Sequence, residues 1–161
     1  MGIALLEGYS LVRKLEGLKV GKTVFTFMIL LCMSQIKQFE DLEIWKKAIK
    51  LAVDIYKISN VGLLKSDFGM KDQIRRAAIS ISNNIAEGFE YNNNSEFIRF
   101  LNYAKGSCGE VRNQVFILKE IQYIELLNFE ELNNQCIELS KQISSFIKYL
   151  KEFNQNNKKP S

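Results

Sequence analysis

The sequence predicts an all-α protein, an antiparallel up-down-up-down four-helix bundle formed by residues 35–153. Apolar residues recur at spacings of three and four in four separate segments, as in helices with one buried face. The single proline, Pro160, lies at the end of the chain, so no proline interrupts these segments. The connections are about five to seven residues long, and short connections make neighbouring helices antiparallel.

Residues 1–34 form an extension without this pattern. Basic residues precede an apolar run at 24–33, as in a signal peptide, but the run is shorter than the roughly 20 residues that span a bilayer. We expect Met33 to be the true start and residues 1–32 to be upstream sequence; the alternative is a hydrophobic arm that packs on the bundle or a partner. At the other end, residues 154–161 are polar and basic, and we expect them to form a flexible tail.

The first predicted helix covers residues 39–58. Its apolar face consists of Phe39, Leu42, Trp45, Ala48, Ala52 and Ile55. A tryptophan at this spacing is typical of packing rather than of ligand stacking, so we interpret Trp45 as a packing residue.

The second predicted helix, to about Phe89, contains the stretch 73–88 that organises the chain. We expect Ser66 to cap its start and Gly88 to cap its end. One stripe of this stretch is apolar and consists of Ile74, Ala77, Ile81 and Ile85. A second stripe is polar and consists of Gln73, Arg76, Ser80, Asn84 and Glu87.

The third predicted helix, from Ser95 to about Ile121, repeats the design, and Asn93 is its expected cap. Its apolar seam consists of Phe97, Leu101, Ala104, Cys108, Val111, Val115 and Leu118. Its polar stripe consists of Glu96, Arg99, Tyr103, Ser107, Glu110 and Gln114. The members that we expect to form a polar seam between the two helices are Arg76, Asn84, Glu87, Arg99 and Glu110. We predict partly buried ion pairs of Arg76 with Glu110 and of Glu87 with Arg99.

The fourth predicted helix follows a loop at residues 122–128 and carries an uninterrupted heptad seam. The seam consists of Phe129, Leu132, Cys136, Leu139, Ile143, Phe146, Leu150 and Phe153. A dimerising coiled coil would also show it, but three other amphipathic helices in the chain favour packing within one bundle.

Composition excludes several function classes. The chain has no histidine, which removes the commonest general base and the histidine ligands of di-iron bundles. Its three cysteines are too few for a disulfide framework, and we expect a cytoplasmic protein without a cofactor. The formal charge of +4 is a weak indication of a nucleic-acid or acidic partner.

These residues carry a resemblance. The stretch 73–88, with its Asn-Ile-Ala-Glu-Gly end, the Phe39–Ala48 pattern and residues 96–110 resemble the 23S rRNA intervening-sequence protein family. That family also resembles the accessory variability protein of diversity-generating retroelements, a pentameric bundle that binds nucleic acid and a reverse transcriptase. The resemblance implies a non-enzymatic four-helix bundle that forms a homo-oligomer, and the assembly that it favours is a pentamer. Ser82 stands where the family usually has a proline, and Leu63 and Leu64 replace a common Phe-Pro pair.

Three hypotheses for function follow. The first is an oligomer that contacts ribosomal RNA or other nucleic acid through exposed basic residues, Lys71, Arg75, Lys105, Arg112 and Lys119; a solvated face is the alternative interpretation. The second is an adaptor for a polymerase or reverse transcriptase, without RNA contact. The third is a carboxylate-bridged metal enzyme built on Glu87, Glu96 and Glu110, which the lack of histidine disfavours.

Self-association is also indicated by the width of the apolar arc on the second helix. Phe68, Ile79 and Ala86 point away from the Ile74 and Ile81 stripe, so we expect a subunit interface there.

Overall fold

Four helices make up the protein in a computed structural model that describes residues 36–156. They are α1 (Glu43–Ile58), α2 (Phe68–Glu90), α3 (Asn94–Glu120) and α4 (Leu126–Asn156). Two short 3-10 turns, Phe39–Asp41 and Leu63–Lys65, precede α1 and α2, and the described residues contain no strand. The predicted all-α four-helix bundle is therefore confirmed. The proposed start at Met33 and the N-terminal extension lie outside the described residues.

The four helices surround one core, in which each successive pair packs together and α1 also contacts α4. α2 and α3 are antiparallel, because Gly88 lies against Phe97 and Phe100 while Ser80 reaches Ser107. α3 and α4 are antiparallel as well, because Asn94 donates a hydrogen bond to Asn154 at one end of the pair and the rings of Phe116 and Phe129 are in contact at the other.

The predicted seams form the core. All four apolar stripe residues of α2 and all seven of α3 are buried, as are the α4 seam residues from Phe129 to Leu150. Helical periodicity identifies these positions because burial follows the 3.6-residue repeat. In α1, Ile44 and Leu51 are buried although they lie off the predicted face.

Several helix ends differ from their predictions. The cap of α2 is Asp67, not Ser66, and its carboxylate accepts a hydrogen bond from the backbone N–H of Met70 at 3.0 Å. Gly88 lies inside α2, and Asn92, with φ of 49°, supplies the left-handed residue that ends it. α4 begins before the predicted loop ends and continues through Asn156, past the start of the predicted tail. The Asn93 cap of α3 is confirmed, since its side chain accepts from the N–H groups of residues 95 and 96.

α1 begins at Glu43 and not at Phe39 as predicted, because the backbone of Leu42 is extended and not helical. Phe39 lies in the preceding 3-10 turn, where its ring meets that of Trp45 edge to face, with centroids 5.2 Å apart. Trp45 is half-buried and packs on the core, which confirms its interpretation as a packing residue.

Candidate interaction surfaces

The polar stripes of α2 and α3 do not form the predicted ion pairs. Arg76 pairs with Asp72 on its own helix at 3.1 Å, and Arg99 pairs with Glu96, also on its own helix. Glu87 and Glu110 are exposed and make no ion pair within the described residues. Both predictions were wrong, because an exposed arginine finds a carboxylate one turn away without crossing to another helix.

Uncharged groups join the two helices instead. The hydroxyl oxygens of Ser80 and Ser107 lie 2.9 Å apart. The Asn84 amide donates to the carbonyl oxygen of Ser80 at 2.7 Å and to its hydroxyl at 3.1 Å. The polar seam is therefore half-buried, neutral and centred on Ser80.

Two of the five basic residues proposed for RNA contact hold the connection between α1 and α2. Arg75 donates to the Ser59 hydroxyl at 2.8 Å and to the Asn60 side-chain oxygen at 2.7 Å, and its guanidinium lies 4.4 Å from the centre of the Tyr56 ring. Lys71 donates to the carbonyl oxygen of Lys65 at 2.9 Å. The contacts of Arg75 indicate a structural role for this side chain.

The other three lie along α3. Arg112 donates to the Asn133 side chain on α4 at 3.0 Å, and Lys119 lies 5.0 Å from the centre of the Phe129 ring and 3.3 Å from a Glu120 oxygen. Lys105 is exposed and has no hydrogen bond or ion pair within the described residues. The structure thus divides the five cations between the α1–α2 connection and α3, rather than gathering them into one cluster.

Charge is balanced over the bundle. Residues 36–156 contain sixteen Lys and Arg and sixteen Asp and Glu, so the excess of +4 arises from the chain ends outside this range. The bundle alone therefore has no net charge to attract a polyanion.

A group of exposed apolar side chains lies at one end of the bundle. Ser80 and Ser107 are in contact, so Phe68 and Lys119, each twelve residues further along an antiparallel helix, lie at the same level. The α1–α2 and α3–α4 connections therefore share this end. We call its exposed apolar side chains the apolar end; they are between 43% and 75% exposed and comprise Val61, Leu63, Phe68, Ile121, Leu126 and Leu127.

The apolar surface extends along α1. Ile49, Val53 and Tyr56 lie at helical spacing and are 36–46% exposed. By contrast, Ile79 and Ala86 of α2, which were expected to face a subunit interface, are half-buried in the single chain. Of that predicted α2 surface, only Phe68 belongs to the apolar end. Sequence analysis missed most of the apolar end because its residues lie in the connections or in the helix ends beside them, outside the periodic seams. The available signal was their apolarity, which is unusual for such segments.

The metal-enzyme hypothesis gains no site from the geometry. Over residues 36–156, Glu87, Glu96 and Glu110 are not part of any group of three or more His, Cys, Asp or Glu side chains placed to hold an ion. In the same range, none of the helices combines the length and the apolarity needed to cross a membrane.

Comparison with known proteins gives a family and a related structure. The profile of the family described as 23S rRNA-intervening sequence protein matches residues 40–145. A crystal structure of a protein with unknown function from the S23 ribosomal protein family of Bacteroides thetaiotaomicron VPI-5482 is similar, with a TM-score of 0.61 and 29% identity over 65% of this chain and 95% of that chain. No curated protein matches the chain. Since the profile match extends from the first 3-10 turn well into α4 and covers more than half of the sequence, the chain belongs to the 23S rRNA-intervening sequence protein family.

Proposed function

We propose that this chain is a non-enzymatic protein that works as a homo-oligomer and contacts RNA through basic side chains that the assembly brings together. The observation that carries the proposal is the apolar end, where six large apolar side chains are exposed. The free thiols of Cys108 and Cys136 fit a reducing compartment, and we propose the cytoplasm.

Self-association accounts for the apolar end. Full burial of a leucine or phenylalanine side chain stabilises by about 1.5–3 kcal/mol, so covering several of these residues offsets much of the entropy lost on association. Exposed apolar surface grouped at one site usually marks an interaction surface. A cyclic homo-oligomer would cover it, and the family resemblance favours a pentamer.

RNA contact depends on assembly because the bundle is neutral. Lys71, Lys105 and Arg112 have no carboxylate within ion-pair distance among the described residues, so their charges are available to phosphates, whereas the Arg75 guanidinium is held at the α1–α2 connection. One copy offers only a few such contacts, whereas a ring repeats them in every subunit and raises the overall affinity. Binding of this kind weakens steeply with salt and selects weakly among sequences.

Light scattering coupled to size exclusion tests the assembly. At micromolar concentration we expect about five copies of the 18.6 kDa chain. The double variant Leu63→Lys/Leu127→Lys should dissociate to smaller species. Tyr103→Lys is the control and should not dissociate, because Tyr103 is also exposed but lies on α3, outside the apolar end. Dissociation by Val53→Lys, with no effect of the double variant, would move the interface to α1. A monomeric parent protein would contradict the proposal.

Binding to a labelled 23S rRNA fragment across a salt series tests the RNA contact. Lys105→Glu should weaken binding at low salt, whereas Lys148→Glu, on α4 and already paired with Glu152 at 3.8 Å, serves as the charge-matched control. An equal loss in both variants would indicate a general charge effect and not a site on α3.

The adaptor function is the second candidate, and the apolar end favours it equally well because a different protein would cover the same side chains. An oligomer or monomer that retains no RNA at low salt would leave this function as the better explanation. Capture of a polymerase or reverse transcriptase by the parent protein, lost in Leu63→Lys/Leu127→Lys, would then support it.

A further inference from the structure

Two cysteines face each other across α3 and α4. Cys108 and Cys136 are each only 1% exposed, and the Cys108 thiol donates to the carbonyl oxygen of Cys136 at 3.2 Å. The contact is in register with that of Arg112 and Asn133, which lies about one helical turn further along the same two antiparallel helices. Both positions belong to the predicted seams, but periodicity alone does not show that they meet.

A cleft gives this pair a route to solvent. It has a volume of about 230 Å³, and its walls include both cysteines together with Arg112, Ser140 and Lys141. The cleft has room for a small neutral oxidant, whereas the nearly complete burial of both side chains excludes a protein thiol. A metal ion would need further ligands, and no group of three or more metal-binding side chains occurs in residues 36–156.

The side chains around the pair favour a reactive thiolate. Contact with the Cys136 side chain lowers the pKa of the Cys108 thiol, against the opposing effect of burial, and the Arg112 charge lowers it further. The contact with Cys108 and burial both raise the pKa of Cys136. The two thiols therefore differ in acidity, with Cys108 the better nucleophile.

We propose that Cys108 and Cys136 form a peroxide-sensitive dithiol site that closes to a disulfide between α3 and α4. The Cys108 thiolate attacks one peroxide oxygen, the O–O bond breaks, and the departing hydroxide takes a proton to become water. The Cys108 sulfenic acid is then attacked by Cys136, which forms the S–S bond and releases the second water. In total, two thiols are oxidised and hydrogen peroxide is reduced to two waters. A small external thiol such as dithiothreitol reverses the reaction.

Closure links residues 28 positions apart and would restrict the unfolded chain. We expect the oxidised protein to melt several degrees higher than the reduced protein, and dithiothreitol to remove the difference. This consequence depends neither on the oligomeric state nor on RNA.

Peptide mapping of the full chain tests the proposal. The folded protein is treated with graded hydrogen peroxide, quenched with catalase, alkylated in denaturant and digested with trypsin without reduction. We expect a linked species that joins peptide 106–112 to peptide 120–141 and disappears on reduction. In Cys136→Ala, dimedone should label Cys108 and the linked species should be absent; Cys32→Ala serves as the matched control and should still form it.

Three results of this experiment would contradict the proposal. Full alkylation of both cysteines at peroxide levels that oxidise the free amino acid cysteine would overturn the proposal. A link that forms only in denaturant, or only between two chains on a non-reducing gel, would overturn it too. The mapping of the unmodified chain gives this answer even if a variant folds poorly.

Discussion

Gly88 of α2 and Phe100 of α3 approach so closely that a Cβ atom on Gly88 would lie 2.6 Å from the Cβ of Phe100. The same atom would lie 2.9 Å from the Phe97 ring, and all three residues are buried. Gly88 is therefore required for the close packing of α2 on α3 near their connection, and not for a left-handed turn.

Gly88→Ala should destabilise the protein by about 1–3 kcal/mol, because overpacking outweighs the gain in helix propensity. Gly106→Ala is the matched control, since a Cβ there meets nothing within 4 Å and Gly106 is also helical. The control should be stabilised by roughly 0.5–1 kcal/mol. Urea unfolding measures both changes, and equal stabilisation of the two variants would contradict the tight contact.

Arg75→Ala should destabilise the protein by about 1–2 kcal/mol. The substitution removes hydrogen bonds to Ser59 and Asn60 and the stacking on Tyr56, and Ser59 is fully buried. The adjacent Arg76→Ala is the control: its side chain is 70% exposed and pairs only within α2, so the change should stay below about 0.5 kcal/mol. Thermal melts of the two variants distinguish them; equal melting temperatures would show that the Arg75 contacts contribute little.

The seams of the bundle could be predicted from the sequence, whereas the pairing of polar groups could not. Burial of Ile81 or Val115 follows from helical periodicity, which is a property of one segment. The partner of Arg76 depends on how far its stripe lies from the core, and that distance is set by the rotation of α2 against α3. Arg76 lies outside the interface between α2 and α3 and therefore pairs with Asp72 on its own helix. The smaller Ser80 lies within that interface and contacts Ser107.

The candidate surfaces were predictable in part for the same reason. Lys105 is exposed as expected, but the contacts of Arg75 come from the α1–α2 connection, whose path has no periodic signal. Leu63 and Leu127 belong to one surface only because the helices are antiparallel and both connections reach the same end. Such proximity between distant connections emerges only from the assembled fold.

Tyr149→Phe should stabilise the protein. The Tyr149 hydroxyl is buried and has no hydrogen-bond partner among the described residues, and burial raises its pKa to about 12. Removing an unsatisfied buried hydroxyl should gain about 1 kcal/mol near neutral pH.

The pH dependence gives a second measurement on Tyr149. The unfolded phenol ionises near pH 10, so the parent protein should lose stability between about pH 10 and 12 relative to Tyr149→Phe. A variant that is less stable than the parent at neutral pH would show that the hydroxyl does bind a partner, such as water.

Asp54 links α1 to α4 and should make the bundle sensitive to acid. Its carboxylate accepts hydrogen bonds from Lys50 at 2.7 Å, Gln135 at 3.0 Å and Lys57 at 3.3 Å. Partial burial raises the pKa of Asp54, but these hydrogen bonds together outweigh burial and lower the pKa below its ordinary value. A carboxyl with a lowered folded-state pKa stabilises the protein above the unfolded pKa, which is about 3.9.

Asp54→Asn should therefore cost about 1 kcal/mol at pH 7, and the cost should shrink as pH falls below about 4 through the folded-state pKa of Asp54. Asp72→Asn is the control, because Asp72 is 63% exposed and pairs only with Arg76 on its own helix. Urea unfolding at pH 7, 5 and 3 measures the difference between each variant and the parent protein. If the cost of Asp54→Asn stays constant over this range, the variant has lost packing or neutral hydrogen bonds, and the charge of the Asp54 carboxylate does not stabilise the protein.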